Sequence, residues 1–159
     1  MSAAFTIRRA TPEDAPAIAA VLLQTGYFSR LAAQTLEQTQ AQVQRQMELG
    51  GSQEGGASSI YIALAPGGEV CGYCAVHWIY FLFLPGPEGY VSELFVSPEA
   101  RGQGAGGLLL AAAVAEGRQR GAYRMGLINM RQRESYQRKF YEKQGWEERP
   151  EAANFVLIL

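Results

Sequence analysis

The sequence contains 159 residues, 48% of them hydrophobic, and this length is typical of one domain. A chain of this size buries roughly 68–70% of its unfolded surface, so intrinsic disorder is excluded. The 14 basic and 15 acidic side chains give a net charge of −1, which argues against a nucleic-acid clamp or a polybasic membrane surface. We therefore predict a single domain over residues 1–159 with no nucleic-acid or membrane partner.

Three features of the sequence predict where in the cell the protein is found. The first residues lack the basic and then apolar order of a signal peptide. The longest apolar stretch, Val70–Leu84, is shorter than the roughly 18–20 residues that span a membrane. Two cysteines are too few for a disulfide framework. These features predict a cytoplasmic protein.

The first part of the chain predicts one strand and two helices. Thr11 can cap a helix, Pro12 suits its first position, and Asp14 stands where the acid of a capping box belongs. Apolar residues then recur at helical spacing until Gly26, a plausible stop. The predicted elements are a strand over 5–9, a helix over 11–26, a mostly exposed helix over 32–49 and a small-residue loop over 50–58.

The rest of the chain alternates β-rich runs with turn residues and two further helices. Leu and Ala occupy every side of the segment that begins at Leu108, which is typical of a buried helix. The predicted elements are strands over 59–65, 70–82 and 90–96, a helix over 108–120, a strand over 124–130, a helix over 135–144 and a strand over 154–159. This order predicts an α/β domain with a mixed, largely antiparallel sheet flanked by helices.

A glycine-rich turn, Arg101–Gly107, lies between a predicted strand and the apolar helix. Four glycines in seven residues allow a tight turn with uncovered N–H groups, and the following helix N-terminus adds partial positive charge. Together these features predict an anion site that suits phosphate or pyrophosphate. The alternative is a glycine-rich turn that binds nothing.

Two other phosphate-binding motifs do not fit this turn. Gly102, Gly104 and Gly107 match G-x-G-x-x-G, but the dinucleotide fingerprint requires its first glycine at the strand end and an acid about twenty residues later. Residues 97–101 intervene here, and residues 122–130 contain no acid. A P-loop closes with G-K-[ST], whereas this turn closes with two glycines and a leucine.

The segment Val96–Gly106 resembles the acyl-CoA pyrophosphate loop of the GNAT superfamily of N-acyltransferases. Arg101, Gly104 and Gly106 match the family pattern of Arg or Gln, two residues, Gly, one residue, and Gly or Ala. Phe140–Trp146 resembles the later F-Y-x-x-x-G-F element of the family, and residues 7–14 are similar to its opening strand and helix start.

One part of the later element departs from the family pattern. Family members often have Asn seven residues and Ala four residues before the Tyr of that element, and Glu134 and Gln137 occupy those positions here. The contact that the Asn makes with the pantetheine arm is therefore not transferred to this chain.

The resemblance implies a GNAT-like fold and an acetyl-CoA-dependent N-acetyltransferase that needs no metal. It implies direct attack by a primary amine, bound with acetyl-CoA in a ternary complex. It further implies that strand backbone pairs with the pantetheine arm and that turn amides hold the pyrophosphate. The residues concerned are Leu94, Phe95 and Val96 in the strand, Arg101, Gly102, Gln103, Gly104, Ala105, Gly106 and Gly107 in the turn, and Tyr27, Trp78 and Tyr80 at the acceptor.

Two side chains are candidates for proton transfer. Glu93 lies in an otherwise apolar strand, and a period of two predicts that it shares a face with Val91 and Phe95. Such a carboxylate is either a paired structural acid or a base, and the resemblance favours a base acting through water. By the same resemblance Tyr141 protonates the departing CoA thiolate, whereas without it Tyr141 is an ordinary core aromatic.

Several other interpretations remain open. The chain could be a regulatory CoA-binding domain without catalysis, or an acyltransferase that uses a longer acyl-CoA. Cys71 and Cys74 form a C-x-x-C pair, but alternation along a strand places them on opposite faces, which argues against a thiol oxidoreductase. His77, the single histidine, suits a structural or pocket role. The apolar segment 154–159 could pair with a second copy, so we expect a possible homodimer.

Overall fold

The computed structural model describes residues 4–159, which divide into two compact units. The first unit ends at Leu127, and the second covers Ile128–Leu159. The prediction of a single domain over residues 1–159 stays a prediction.

A five-stranded sheet forms the centre of the first unit. Its strands lie in the order β1-β2-β3-β4-β5, and all neighbours are antiparallel except β4 and β5, which are parallel. Parallel neighbours require a crossover connection, and a helix provides it here. The predicted mixed, largely antiparallel sheet is therefore confirmed. The strands are β1 Thr6–Arg9, β2 Ser58–Leu64, β3 Val70–Ile79, β4 Glu88–Val96 and β5 Arg124–Leu127.

Residues 4–159 contain six α-helical segments, four in the first unit and two in the second, with short 3-10 turns at Pro12–Asp14 and Pro98–Ala100. The predicted helix over 32–49 begins instead at Leu36, because Thr35 caps it in a capping box with Gln38, and Ala32 ends a separate short helix. The helices are α1 Ala15–Gln24, α2 Ser29–Ala32, α3 Leu36–Leu49, α4 Ala105–Gln119, α5 Glu134–Gln137 and α6 Phe140–Lys143.

Two predictions for the second unit are wrong. The single helix over 135–144 is broken into α5 and α6 at Lys139, whose φ of 56° is left-handed and incompatible with a continuous right-handed helix. The strand over 154–159 does not form, and its side chains are exposed. An apolar run becomes a strand only where another strand pairs with it, and no ladder among the described residues includes this run.

The two faces of the sheet are covered by different helices. Helices α1 and α3 pack on one face, where Tyr73 and Phe95 join a core with Ile18 and Met47. Helix α4 packs on the other face, where Leu109 closely approaches Gly72. A Cβ at Gly72 would lie 2.9 Å from the carbonyl oxygen of Phe95, so a side chain there would push β3 from β4.

A buried carboxylate, Glu116 of α4, ties this helix to two strands, β1 and β2, and to the end of α4 itself. Its oxygens accept hydrogen bonds from the hydroxyls of Tyr61 (2.7 Å) and Ser59 (2.9 Å). They also accept from the guanidinium groups of Arg120 (2.8 Å) and Arg9 (3.2 Å). Trp78 joins the network by donating from its indole nitrogen to the Ser59 hydroxyl.

This network determines the charge state of its members. Burial alone would raise the pKa of Glu116, but hydrogen bonds from Tyr61, Arg120 and Ser59 outweigh it and hold that pKa below its usual value. Burial and the bond to Glu116 raise the pKa of Tyr61 to about 12. The carboxylate is therefore ionised and the phenol neutral at pH 7, which is the pairing that the hydrogen bonds require.

Glu116→Gln should lower the free energy of unfolding at pH 7 by roughly 2–4 kcal/mol, because two guanidinium groups lose their charged partner. The pKa of Glu116 is depressed in the folded state, so its stabilisation is complete above the unfolded pKa of about 4.3 and is lost as the pH falls through the folded value. Urea unfolding should therefore separate the two proteins clearly at neutral pH and much less near pH 3.

The matched control is Glu54→Gln, which neutralises an exposed loop carboxylate. This variant should stay within about 0.5 kcal/mol of the native protein at both pH values. An equal loss of stability for Glu116→Gln at neutral and acid pH would show that the ionised carboxylate is not what stabilises the network.

Candidate functional site

A β-bulge in β4 interrupts the alternation of its side chains. Glu93 pairs with Ala75 and Val91 pairs with the next residue of β3, so Ser92 is an extra residue without an opposite partner. Because paired residues share a face, Glu93 and Val91 lie on opposite faces of the sheet. The prediction that Glu93 shares a face with Phe95 agrees with the register, and the prediction for Val91 is wrong, because a period of two holds only where no bulge intervenes.

Beyond the bulge, β4 has a strand on only one side within the first unit. Strand β5 pairs with residues Glu88–Val91 of β4 and ends at Leu127. The following stretch, Ser92–Val96, adjoins β3 alone among the strands of residues 4–127, and its residues 93–96 pair with β3. We call Ser92–Val96 the free edge of β4. Such an edge can form backbone hydrogen bonds with an extended ligand.

The free edge leads into the glycine-rich turn at the start of α4. Gly102 has a φ of 73° and Gly104, the N-cap of α4, a φ of 98°, and both values belong to the left-handed region that favours glycine. A Cβ on either residue would meet no heavy atom of the described chain within 4 Å. Backbone conformation therefore requires these glycines, while the space above the turn stays open to a ligand.

Two side chains fasten the turn, one to the end of β4 and one to the 3-10 turn that follows β4. The Arg101 Nε donates to the carbonyl oxygen of Val96 at 3.0 Å, and the Gln103 amide donates to the carbonyl oxygen of Glu99 at 2.7 Å. Helix α4 is fifteen residues long, and the N–H groups of its first turn have no acceptor within the helix. An anion held there would adjoin a ligand paired with the free edge.

A groove of about 800 Å³ lies on the α1–α3 side of the sheet, and Glu93 lines it. The other lining residues come from the end of α1, from α2 with its flanking residues, and from one side of α3. Glu93 is the acidic residue of the lining, and Arg30 and Arg45 are its basic residues. Phe28, which also lines the groove, packs edge-on against Phe95 with ring centroids 5.7 Å apart.

Tyr73 places a buried hydroxyl next to this carboxylate. The residue is 2% exposed, and among residues 4–159 its hydroxyl has no hydrogen-bond partner. Tyr73 pairs with Phe95 and therefore lies diagonally across from Glu93 on the same face. Burial raises the pKa of the Tyr73 phenol well above its usual value, and the nearby Glu93 carboxylate raises it further.

Comparison with known proteins identifies the family of the chain. The sequence pattern of the GNAT acetyltransferase family matches residues 24–146 of the chain. The chain belongs to the GNAT acetyltransferase family. The resemblance noted in the sequence is thereby confirmed. No curated protein matches the sequence significantly.

Solved structures agree with the family's fold. A probable acetyltransferase is 24% identical, with a TM-score of 0.75, and 97% of each chain is covered. A transcriptional regulator from Bacillus halodurans C-125 is 22% identical, with a TM-score of 0.79 over 97% of this chain and 100% of that one. Glucosamine-6-phosphate N-acetyltransferase from Arabidopsis thaliana is 18% identical, with a TM-score of 0.71 over 98% and 99%. At these identities the likeness shows the fold alone.

The residues expected at the acceptor of this GNAT chain lie in different places. Tyr27 packs against Phe95, with ring centroids 6.2 Å apart, on the face that carries Glu93. Trp78 lies on the opposite face, 5% exposed, where it donates to Ser59. Tyr80 follows the end of β3 and is 76% exposed. Only Tyr27 of the three therefore shares a face with the groove, and Trp78 belongs to the buried Glu116 network.

Tyr141 lies in α6 of the second unit of the GNAT chain. Its ring packs edge-on against Phe140 and Trp146, with centroid distances of 4.9 and 6.3 Å. Its carbonyl oxygen accepts from the backbone N–H groups of Gln144 and Trp146. These contacts hold the tyrosine in the F-Y-x-x-x-G-W turn. Glu134 and Gln137, which replace the family's usual Asn and Ala, are exposed on α5.

The remaining sequence features add no site. Cys71 and Cys74 are both buried free thiols. Among residues 4–159, no group of three or more His, Cys, Asp or Glu side chains is close enough to hold a metal ion. Within the same residues, every helix is too short or too polar to cross a membrane.

Sequence reasoning missed Tyr73 and the two arginines of the groove. Only the register of β3 against β4 shows that Tyr73 faces Glu93, because the bulge shifts that register by one residue. Arg30 and Arg45 stand fifteen positions apart on separate helices, and only the packing of α2 and α3 brings them to one groove. No local pattern could have identified these residues.

Proposed function

We propose that this GNAT chain is an N-acetyltransferase that moves the acetyl group of acetyl-CoA to a primary amine by direct attack in a ternary complex. The observation that carries the proposal is the free edge of β4, which a short 3-10 turn connects to the open glycine-rich turn at the N-terminus of α4. Acetyl-CoA has an extended polar pantetheine arm, which matches the free edge, and a pyrophosphate, which matches the turn. Acetyl-CoA would also supply the reactive thioester carbonyl.

Backbone groups of the chain would hold acetyl-CoA in this proposal. The N–H and C=O groups of Leu94, Phe95 and Val96 would pair with the pantetheine arm as an added strand does. The amides of residues 102–107, with the positive end of α4, would bind the pyrophosphate. An N–H near Leu94 or Val96 would polarise the thioester carbonyl as an oxyanion-hole donor does.

Glu93 would take the proton that the acceptor amine must lose. A primary amine is mostly an ammonium at neutral pH and becomes nucleophilic only when deprotonated. Glu93 lines the groove in which an acceptor fits, and it would accept the proton directly or through water. We propose that the hydroxyl of Tyr73 orients this carboxylate, since it is buried beside Glu93 and otherwise unpartnered among the described residues.

Tyr141 would complete the proton balance. As the amine nitrogen forms its bond to the carbonyl carbon, the C–S bond breaks and CoA leaves as a thiolate. Tyr141 would donate its phenolic proton to that sulfur and later regain one from solvent. The family resemblance of the Phe140–Trp146 element supports this role.

A second candidate function is a regulatory CoA-binding domain without catalysis. Glu134 and Gln137, where family members often carry Asn and Ala, favour it, and a solved structure of the same fold is a transcriptional regulator. An acyltransferase that uses a longer acyl-CoA is a third possibility. The cytoplasmic location, the homodimer and the absence of nucleic-acid and membrane partners stay predictions.

Tyr141→Phe should lower kcat by about 100-fold, because the CoA thiolate loses its proton donor. The dissociation constant of acetyl-CoA should change less than about twofold, since binding rests on backbone groups. Amine-dependent release of the CoA thiol measures the first quantity, and calorimetry measures the second. Tyr123→Phe, at an exposed tyrosine before β5, is the control. An unchanged kcat would remove the proton-donor role, and acetyl-CoA binding without turnover by the native protein would favour the regulatory candidate.

Tyr73→Phe should lower kcat/KM for the acceptor about tenfold and leave the dissociation constant of acetyl-CoA within about twofold of the native value, because the Glu93 carboxylate loses the hydroxyl proposed to orient it. The urea midpoint should change little, because the remaining phenyl ring keeps its packing against Phe95. A native kcat/KM, or a loss of kcat/KM that is matched by a lower urea midpoint, would contradict the positioning role.

A further inference from the structure

The groove beside Glu93 carries more positive than negative charge. Its lining includes Arg30 from α2, Arg45 from α3 and a single carboxylate, Glu93 from β4. The other lining side chains are apolar or uncharged, and they include three glutamines. The charged groups that face the groove therefore sum to +1, with the negative charge at the sheet and both positive charges on the helices.

Neither arginine is neutralised by the fold. Among residues 4–159, no carboxylate lies within salt-bridge distance of either guanidinium, whereas Arg8, Arg9, Arg120, Arg124 and Arg131 all have such partners. A guanidinium presents several N–H donors in a planar fork that matches a carboxylate or phosphate. The two free arginines thus supply recognition groups for an anion next to the proposed base.

We propose that the acceptor of this enzyme is a primary amine that also carries an anionic group, a carboxylate or a phosphate. The inference rests on the proposed acetyltransfer function. The amine would lie at Glu93, and the anionic group would lie at Arg30 and Arg45 on the helical side of the groove. Polyamines are disfavoured, because their second positive charge would meet these guanidinium groups.

The size and lining of the groove agree with such an acceptor. About 800 Å³ lies in the range of small-molecule sites and is much more than a simple alkylamine fills. Apolar residues such as Phe28 and Leu31 can cover the body of the acceptor, and the glutamine amides can bond to its hydroxyl or amide groups. A dipeptide or an amino sugar phosphate has these dimensions.

Paired acceptors, one member with an anionic group and the other without it, test the proposal. The phosphate pair is glucosamine 6-phosphate and glucosamine, the carboxylate pair is Ala-Glu amide and Ala-Gln amide, and spermidine represents polyamines. In at least one pair the anionic member should have a kcat/KM about tenfold above its neutral partner, with spermidine the poorest acceptor. The preferred pair distinguishes a phosphate from a carboxylate as the recognised group.

Variants that remove positive charge show whether the two groove arginines recognise the anionic group of the acceptor. In the double variant Arg30→Gln, Arg45→Gln, the ratio of kcat/KM for the anionic member to that for the neutral member should fall to within about twofold of unity. Arg118→Gln, which neutralises an exposed arginine of α4 outside the groove, should keep the native ratio. Equal use of both members by the native protein, a preference for spermidine, or an unchanged ratio in the double variant would each overturn the proposal.

A binding measurement separates this inference from the proposed function. Glucosamine 6-phosphate and Ala-Glu amide are titrated by calorimetry into the native protein saturated with CoA. Either ligand should bind about tenfold more weakly to the double variant. If no amine is acetylated, acetyltransfer fails, and weaker binding in the double variant still supports the anion site. Equal binding of both proteins, or no binding of either ligand to the native protein, overturns that site.

Discussion

The extra residue at Ser92 is the constraint on which the site depends. Without it, the pleat would place Glu93 on the face of Val91, under α4, where an unpaired carboxylate would be costly to bury. With it, Glu93 faces the groove while Val91 remains in the core. The free edge that follows the bulge leads to the glycine-rich turn. One inserted residue therefore sets the position of the proposed base relative to the backbone proposed to bind acetyl-CoA.

The two faces of the sheet have different roles: one carries a buried network that stabilises the fold, and the other carries the groove proposed to bind the acceptor. On the α4 face, Glu116 is surrounded by hydroxyl and guanidinium donors, so its charge is satisfied inside the protein. On the α1–α3 face, the Tyr73 hydroxyl, Arg30 and Arg45 have no such partners among the described residues. Arg30 and Arg45 are exposed to solvent, so both guanidinium groups remain available to a ligand on this face.

Local sequence patterns predicted most of the fold and part of the site. Glycines at 102 and 104 follow from a turn that needs left-handed backbone, and α4 follows from its apolar composition. The break at Lys139 has no local signal, because a lysine there fits a helix equally well. Trp78 was expected at the acceptor, but its register opposite Gly89 places it on the face that α4 covers. Such features depend on register and long-range pairing, which a single sequence does not encode locally.

Calorimetric titration of acetyl-CoA into the native protein, Gly104→Val and Gly68→Val tests the central claim most directly. Gly68 is a matched control, because its φ of 92° is close to the 98° of Gly104 and its surroundings are equally open, but it lies in the β2–β3 turn. We expect roughly micromolar binding by the native protein and by Gly68→Val, at least tenfold weaker binding by Gly104→Val, and no binding of NAD. Absent acetyl-CoA binding, or equal binding by all three proteins, would contradict the assignment of the turn.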